Sequence, residues 1–220
     1  MKLAVIFRGP LRSNPSSVLD NSKFLLDQLI NTGHEVHSYL ATWTYHKDYH
    51  VSDLDLKYYD NVIALAEPTE DHIRRYITRR DFDGLHATVP NVYKMYYQIK
   101  STIEIILGAG GYDRIVNSRT DVHVDFGEHM KNWIEPYAFM RPIPIRGDVL
   151  DDNGICDWIN VAPPDVMYAA YNYGNQRDLS FLIDHAPTPE HILLHMLESR
   201  KINHQGSLIG DLWLDPNRYN

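Results

Sequence analysis

Apolar residues run unbroken from Leu3 to Phe7 and stop at Arg8-Gly9-Pro10. This pattern predicts a strand over residues 2 to 7 with both faces covered, as in a parallel sheet, followed by a loop. From Asn14 to Thr32 the apolar positions are Val18, Leu19, Phe24, Leu25, Leu26, Leu29 and Ile30, a helical stripe, and Gly33 stands where a C-terminal cap belongs. Glu35 to Thr42 predicts a second strand and Asn61 to Ala66 a third. Strand, helix and strand in this order imply a right-handed crossover unit and an α/β fold.

Glu70 to Arg80 reads as a short charged helix, and Val92 to Leu107 as a longer one that ends at Gly108, Gly110 and Gly111. Residues 112 to 126 then alternate strictly, which predicts one strand. Asn117, Arg119, Asp121, His123 and Asp125 fall on one face, and Val116, Ser118, Thr120, Val122 and Val124 on the other. An amide, a guanidinium, two carboxylates and an imidazole on one face suit a phosphate and a metal. The plain alternative is a sheet edge facing water. Further along, Ala138 to Ile143 and Trp158 to Val161 predict strands, and Pro164 to Tyr173 and Thr188 to Lys201 predict helices. The last has Thr188 as N-cap and Pro189 at the first helical position. The polar, turn-rich stretch from 144 to 157 reads as a mobile loop.

Composition narrows the function classes. The 220 residues fit one large domain, and a formal net charge of −8 argues against general nucleic-acid binding, which needs a basic footprint. An anionic substrate stays open, because a metal or a few arginines can invert the local field. Cys156 is the only cysteine, so no internal disulfide forms. The first apolar run is too short for a signal peptide and no run approaches bilayer length, so a soluble, cytoplasmic protein is expected. Of the 25 aromatic residues 15 are tyrosine, a type that lines sugar and nucleobase sites but also fills ordinary cores.

Several known motifs are absent from the sequence. It contains no glycine-rich dinucleotide fingerprint, no Walker A loop and no Gly-x-Ser-x-Gly elbow. His191 and His195 have metalloprotease spacing but lack the intervening glutamate, and Leu193 and Leu194 between them read as core. Asp53-Leu-Asp55, Asp81-Phe-Asp83 and Asp151-Asp152 do not follow a buried strand that would hold them over a cleft; Asp121 does.

Spread over nearly the whole chain, a series of short matches resembles the GT-A-type nucleotide-sugar glycosyltransferases of phages, large DNA viruses and bacterial surface-polysaccharide clusters, including capsid-glycan enzymes of algal viruses. The matches are the loop Phe7-Arg8-Gly9-Pro10-Leu11-Arg12, Trp43 after the second strand, and the Tyr-rich helix from Asn91 to Lys100. They continue with the Tyr112 to Asp121 strand, Asp157-Trp158-Ile159-Asn160, and the helix opening Pro189-Glu190. The resemblance implies a Rossmann-like sheet, mostly parallel and flanked by helices, binding a nucleotide-diphosphate sugar at its carboxyl edge. It makes residues 1–126 the nucleotide-sugar half and 127–220 the acceptor half of a single domain.

By the same resemblance Phe7, Arg8, Gly9, Arg12, Trp43 and Asn91 contact the donor, and the acceptor is a glycan or glycoprotein. Such enzymes hold Mn2+ or Mg2+ with an Asp-x-Asp motif that bridges the two phosphates. Here Arg119 occupies the first acidic position. Either Arg119 contacts ribose or phosphate while Asp121 alone ligates metal, or Asp121 and His123 form a variant pair; His204 resembles the C-terminal histidine of some metal shells. Asp157 is the expected base for the acceptor hydroxyl, with Asp152 and Asp151 as alternatives. Two other classes remain: a nucleotidyltransferase on a similar sheet, and a non-catalytic carbohydrate- or nucleotide-binding domain.

Overall fold

A computed structural model describes residues 1–9, 15–46, 49–50, 56–82, 88–135, 144–149, 155–206 and 211–214. The central element is a seven-stranded mixed sheet. Its strands are β1 (Lys2–Arg8), β2 (Glu35–Trp43), β5 (Asn61–Leu65), β6 (Arg114–Arg119), β8 (Ile145–Val149), β9 (Ile155–Ala162) and β10 (His204–Gly206). Spatial order is β10-β8-β9-β6-β1-β2-β5. β5, β2, β1 and β6 are parallel neighbours; β9 is antiparallel to both β6 and β8, and β10 is parallel to β8. Two-stranded ribbons join β3 (Tyr45–His46) to β4 (Tyr49–His50) and β7 (Val122–Asp125) to β11 (Asp211–Leu214).

Alternation along the strands assigns each residue to one of two cores. Leu3, Val5 and Phe7 of β1, Leu40 of β2 and Val116 of β6 pack against α1 (Pro15–Asn31) and α4 (Met130–Ile134), through Leu25, Leu29, Trp133 and Ile134. Ala4, Ile6, Tyr39, Ala41 and Ile115 face the other way. They meet α3 (Val89–Ala109), α5 (Pro164–Tyr171), α6 (Gln176–His185) and α7 (Pro189–Ser199). The long α3 starts at Thr88, whose hydroxyl accepts from Asn91 N, and carries Pro90 in its first turn. After α3 the Asp113 amide donates to Lys2 O at 2.8 Å, at the amino end of β1. At 21 residues α3 covers the height of the sheet, so its first turn lies toward the carboxyl edge.

Four expectations change. The stretch 112–126 is two strands: β6 ends at Arg119, where the Thr120 amide donates to Arg8 O at 2.9 Å, and β7 leaves to pair with β11. Alternation continued past the point where β1, the strand beside it, ends. The span 144–157 is largely hairpin, with β8 and β9 supplying all but 144 and 150–154; residues 150–154 lie outside the described residues, and so does the strand expected at 138–143. The short helix α2 (Glu70–Arg74) stops early, and further on the Thr78 and Arg79 amides donate to the Asp184 carboxylate. Finally, α6 adds a helix to those expected, opened by a capping box of Asn175 and Asp178. Among the described residues no helix is long and apolar enough to cross a membrane.

Candidate functional site at the carboxyl edge of the sheet

Polar side chains inside an apolar sheet mark the site. Arg8, the last residue of β1, pairs by register with Ala41 on one side and Arg119 on the other. It is 3% exposed, and its Nε donates to Asn117 Oδ1 at 3.1 Å. Asn117 is fully buried and faces Asn160 of β9 by register; the Tyr171 hydroxyl of α5 donates to Asn160 Oδ1. A polar line thus crosses from β1 through β6 and β9 to α5, just beneath the carboxyl edge. Asn160 and Tyr171 as its continuation were not read from sequence. The available signal was one amide inside the apolar run Ile159-Asn160-Val161.

The turn after β6 holds the strongest pair. Arg119 Nε donates to Asp121 Oδ1 and its Nη2 to Asp121 Oδ2, both at 2.8 Å. This is a side-on fork between neighbours in one turn. The Asp121 side chain is 7% exposed and that of Arg119 24%, so the guanidinium lies nearer solvent than the carboxylate.

Gly9 fixes the neighbouring loop. Its amide donates to Ala41 O at 3.2 Å, its φ is +125°, and a Cβ there would stand 3.0 Å from Thr120 Oγ1. A side chain is therefore disfavoured twice, by backbone conformation and by the contact with Thr120 in the β6 turn. Trp43 ends β2 two residues beyond Ala41, toward the same edge, and is 4% exposed. Asn91 is exposed in the first turn of α3.

Other expected residues are not gathered there. Phe7 points to the opposite core, 2% exposed, with its ring 5.8 Å from that of Tyr59. Arg12, Asp151 and Asp152 lie outside the described residues. Asp157 is described by its backbone: Ile159 pairs with Ser118, so Asp157, two residues earlier in antiparallel β9, stands level with the end of β6.

The residues expected to hold a divalent cation do not fit one as described. Both Asp121 oxygens accept from Arg119. His123 turns to α1, with Nδ1 3.3 Å from Asn21 Oδ1 and its ring stacked on Phe24. His204 opens β10, and the register Gly206–Gly147–Asn160–Asn117 puts it two residues below Asn117, three strands away. Among the described residues no group of three His, Cys, Asp or Glu side chains could hold a metal ion.

The class these observations define is an α/β, Rossmann-like protein with a polar carboxyl edge. No protein-family model matches the chain, and no curated protein matches it. Among solved structures it is similar to a protein of Desulfovibrio desulfuricans G20 described as a nucleotide-diphospho-sugar transferase, at 10% identity over 94% of this chain and 79% of that one, TM-score 0.49. It is similar, too, to a glycosyltransferase involved in glycosylation of the major capsid of PBCV-1, at 9% identity over 94% and 80%, TM-score 0.48. The catalytic domain of Drosophila β1,4-galactosyltransferase 7, complexed with xylobiose, matches at 11% identity over 93% of this chain and 64% of that one, TM-score 0.45.

Proposed function

We propose that this chain is a GT-A-type glycosyltransferase that moves a sugar from a nucleotide-diphosphate donor to a hydroxyl of a glycan or glycoprotein acceptor, with a UDP-sugar as the donor favoured by the sequence resemblance. The observation that carries the reading is the pairing of Arg8 and Arg119 at the carboxyl ends of adjoining parallel strands, with β9 bringing the Asp157 backbone to the same level. Ligands of open α/β sheets bind at this edge, and guanidinium groups match phosphate oxygens. The 1–126 half supplies the arginines and the 127–220 half supplies Asp157, as donor and acceptor sides would require.

In this reaction the acceptor oxygen attacks the anomeric carbon, the bond to the diphosphate breaks, and the acceptor proton passes to a base. Asp157 is the base in this reading, and the guanidinium groups offset charge on the departing diphosphate. The Arg119–Asp121 pairing favours a second reading as well, a binding domain of the same fold without transfer activity.

Thermal-shift screening of UDP, GDP, CMP and dTDP derivatives tests the donor class, because a ligand of the native state alone raises Tm. Hydrolysis of the binding donor then separates the two readings. Donor turnover supports transfer, and binding without turnover supports the binding domain.

A further inference from the structure

We infer that this chain engages the diphosphate of its donor without a divalent cation, with Arg119 as the fixed cation and Asp121 as the residue that positions it; the inference rests on the glycosyltransferase reading above. A divalent cation in such a site needs hard oxygens with charge to spare. Asp121 has both oxygens committed to one guanidinium, each at 2.8 Å. The carboxylate is also the deeper partner, 7% exposed against 24%. An ion that takes the acid must displace two charge-assisted hydrogen bonds from Arg119.

The neighbours point the same way. His123 and His204 are each directed elsewhere, one onto Phe24 and Asn21, the other at the amino end of the far edge strand. What stands at the level of Arg119 on the next strand is a second guanidinium residue, Arg8, itself braced by Asn117. Arg8 is buried, 3% exposed, and adds positive charge behind the edge, while Arg119, 24% exposed, is the guanidinium that stands where a diphosphate would meet it.

The experiment is calorimetric titration of the full chain with UDP, GDP, CDP and dTDP, each in excess EDTA and in excess MnCl2 or MgCl2. The inference expects one nucleotide to bind with a Kd that changes by less than about threefold between these conditions. Binding seen only with the metal, or tighter with it by more than about tenfold, overturns the inference and leaves the glycosyltransferase reading standing. Absence of binding by every nucleotide in both conditions overturns the reading itself, and the inference with it.

Arg119→Lys and Arg119→Asp sharpen the outcome. Arg119→Lys loses the fork, and metal-free affinity is expected to fall about tenfold. Arg119→Asp releases Asp121 and adds a second acid, so metal-free binding is expected to vanish while Mn2+ restores part of it. A purely structural role for Arg119 would weaken binding equally with and without metal, and that result counts against the inference. Thermal unfolding of each variant checks that it is folded.

Discussion

Arg8 Nε donates to Asn117 Oδ1 at 3.1 Å, tying the carboxyl ends of β1 and β6 together through side chains as well as through the sheet ladder. The other amide atom, Asn117 Nδ2, is buried and has no hydrogen-bond partner among the described residues. Asn117→Ala removes an acceptor from a buried guanidinium, and a stability loss of about 1–3 kcal/mol is expected in urea unfolding. A loss below about 0.5 kcal/mol would mean that this bond does not brace Arg8.

Asp157→Asn tests the proposed base. With the amide in place the donor should bind nearly as before, while turnover falls by about 100-fold or more. Lost donor affinity in this variant would put Asp157 on the nucleotide instead.

Gly9→Ala should disturb the site more than the fold. The new methyl meets Thr120 Oγ1 at 3.0 Å in a backbone conformation with φ at +125°. The turn bearing Arg119 and Asp121 must then give way, so nucleotide affinity is expected to fall together with about 1–3 kcal/mol of stability. Unchanged affinity would separate the β1 loop from the binding site.

Asp184 ties the end of α6 to the segment that follows α2. Its carboxylate accepts from Thr78 N, Thr78 Oγ1 and Arg79 N, while Arg79 Nη1 donates to Ile183 O and Ala186 O at the end of α6. Asp184→Ala is expected to cost about 2 kcal/mol, read as a lower urea midpoint, with nucleotide binding preserved.

His34 gives a pH dependence of known sign. Burial holds its imidazole below the ordinary value of 6.5 in the folded protein. On acidification the unfolded chain therefore takes up this proton first, and stability is lost as pH falls through about 6.5 toward the folded value. Between about pH 7 and pH 5, Tm of the wild type should drop further than that of His34→Gln; equal drops would show that His34 contributes nothing.

How legible was this in the chain? The parallel half of the sheet was readable because its strands carry apolar runs, buried on both faces in β1, and its helices carry clear stripes: β1, β2, β5, α1 and α3 stand within a few residues of expectation. The strand through Asp121 was not, since alternation continues across Thr120 while the pairing partner changes from β1 to β11. Periodicity records which face a residue takes and is silent about which strand lies beside it. For the same reason Arg119, expected on ribose or phosphate, and Asp121, expected on a metal ion, stand as partners of each other. The β8–β9 hairpin hid behind its polar composition: Arg146 and Gly147 stand in an interior strand, and Arg146 is buried there although its type reads as surface.

The passage of β9 between β6 and β8 bears on how the molecule comes apart. The strand lies in the later half of the chain yet shares its ladder with β6 of the earlier half, and β11 returns to cover β7. A cut near residue 126 would strip each fragment of a ladder neighbour and bare long edges prone to aggregation. The earlier and later halves are thus regions of one cooperative unit. Heat and denaturant should melt them in a single step, and neither can be expressed as an independent module.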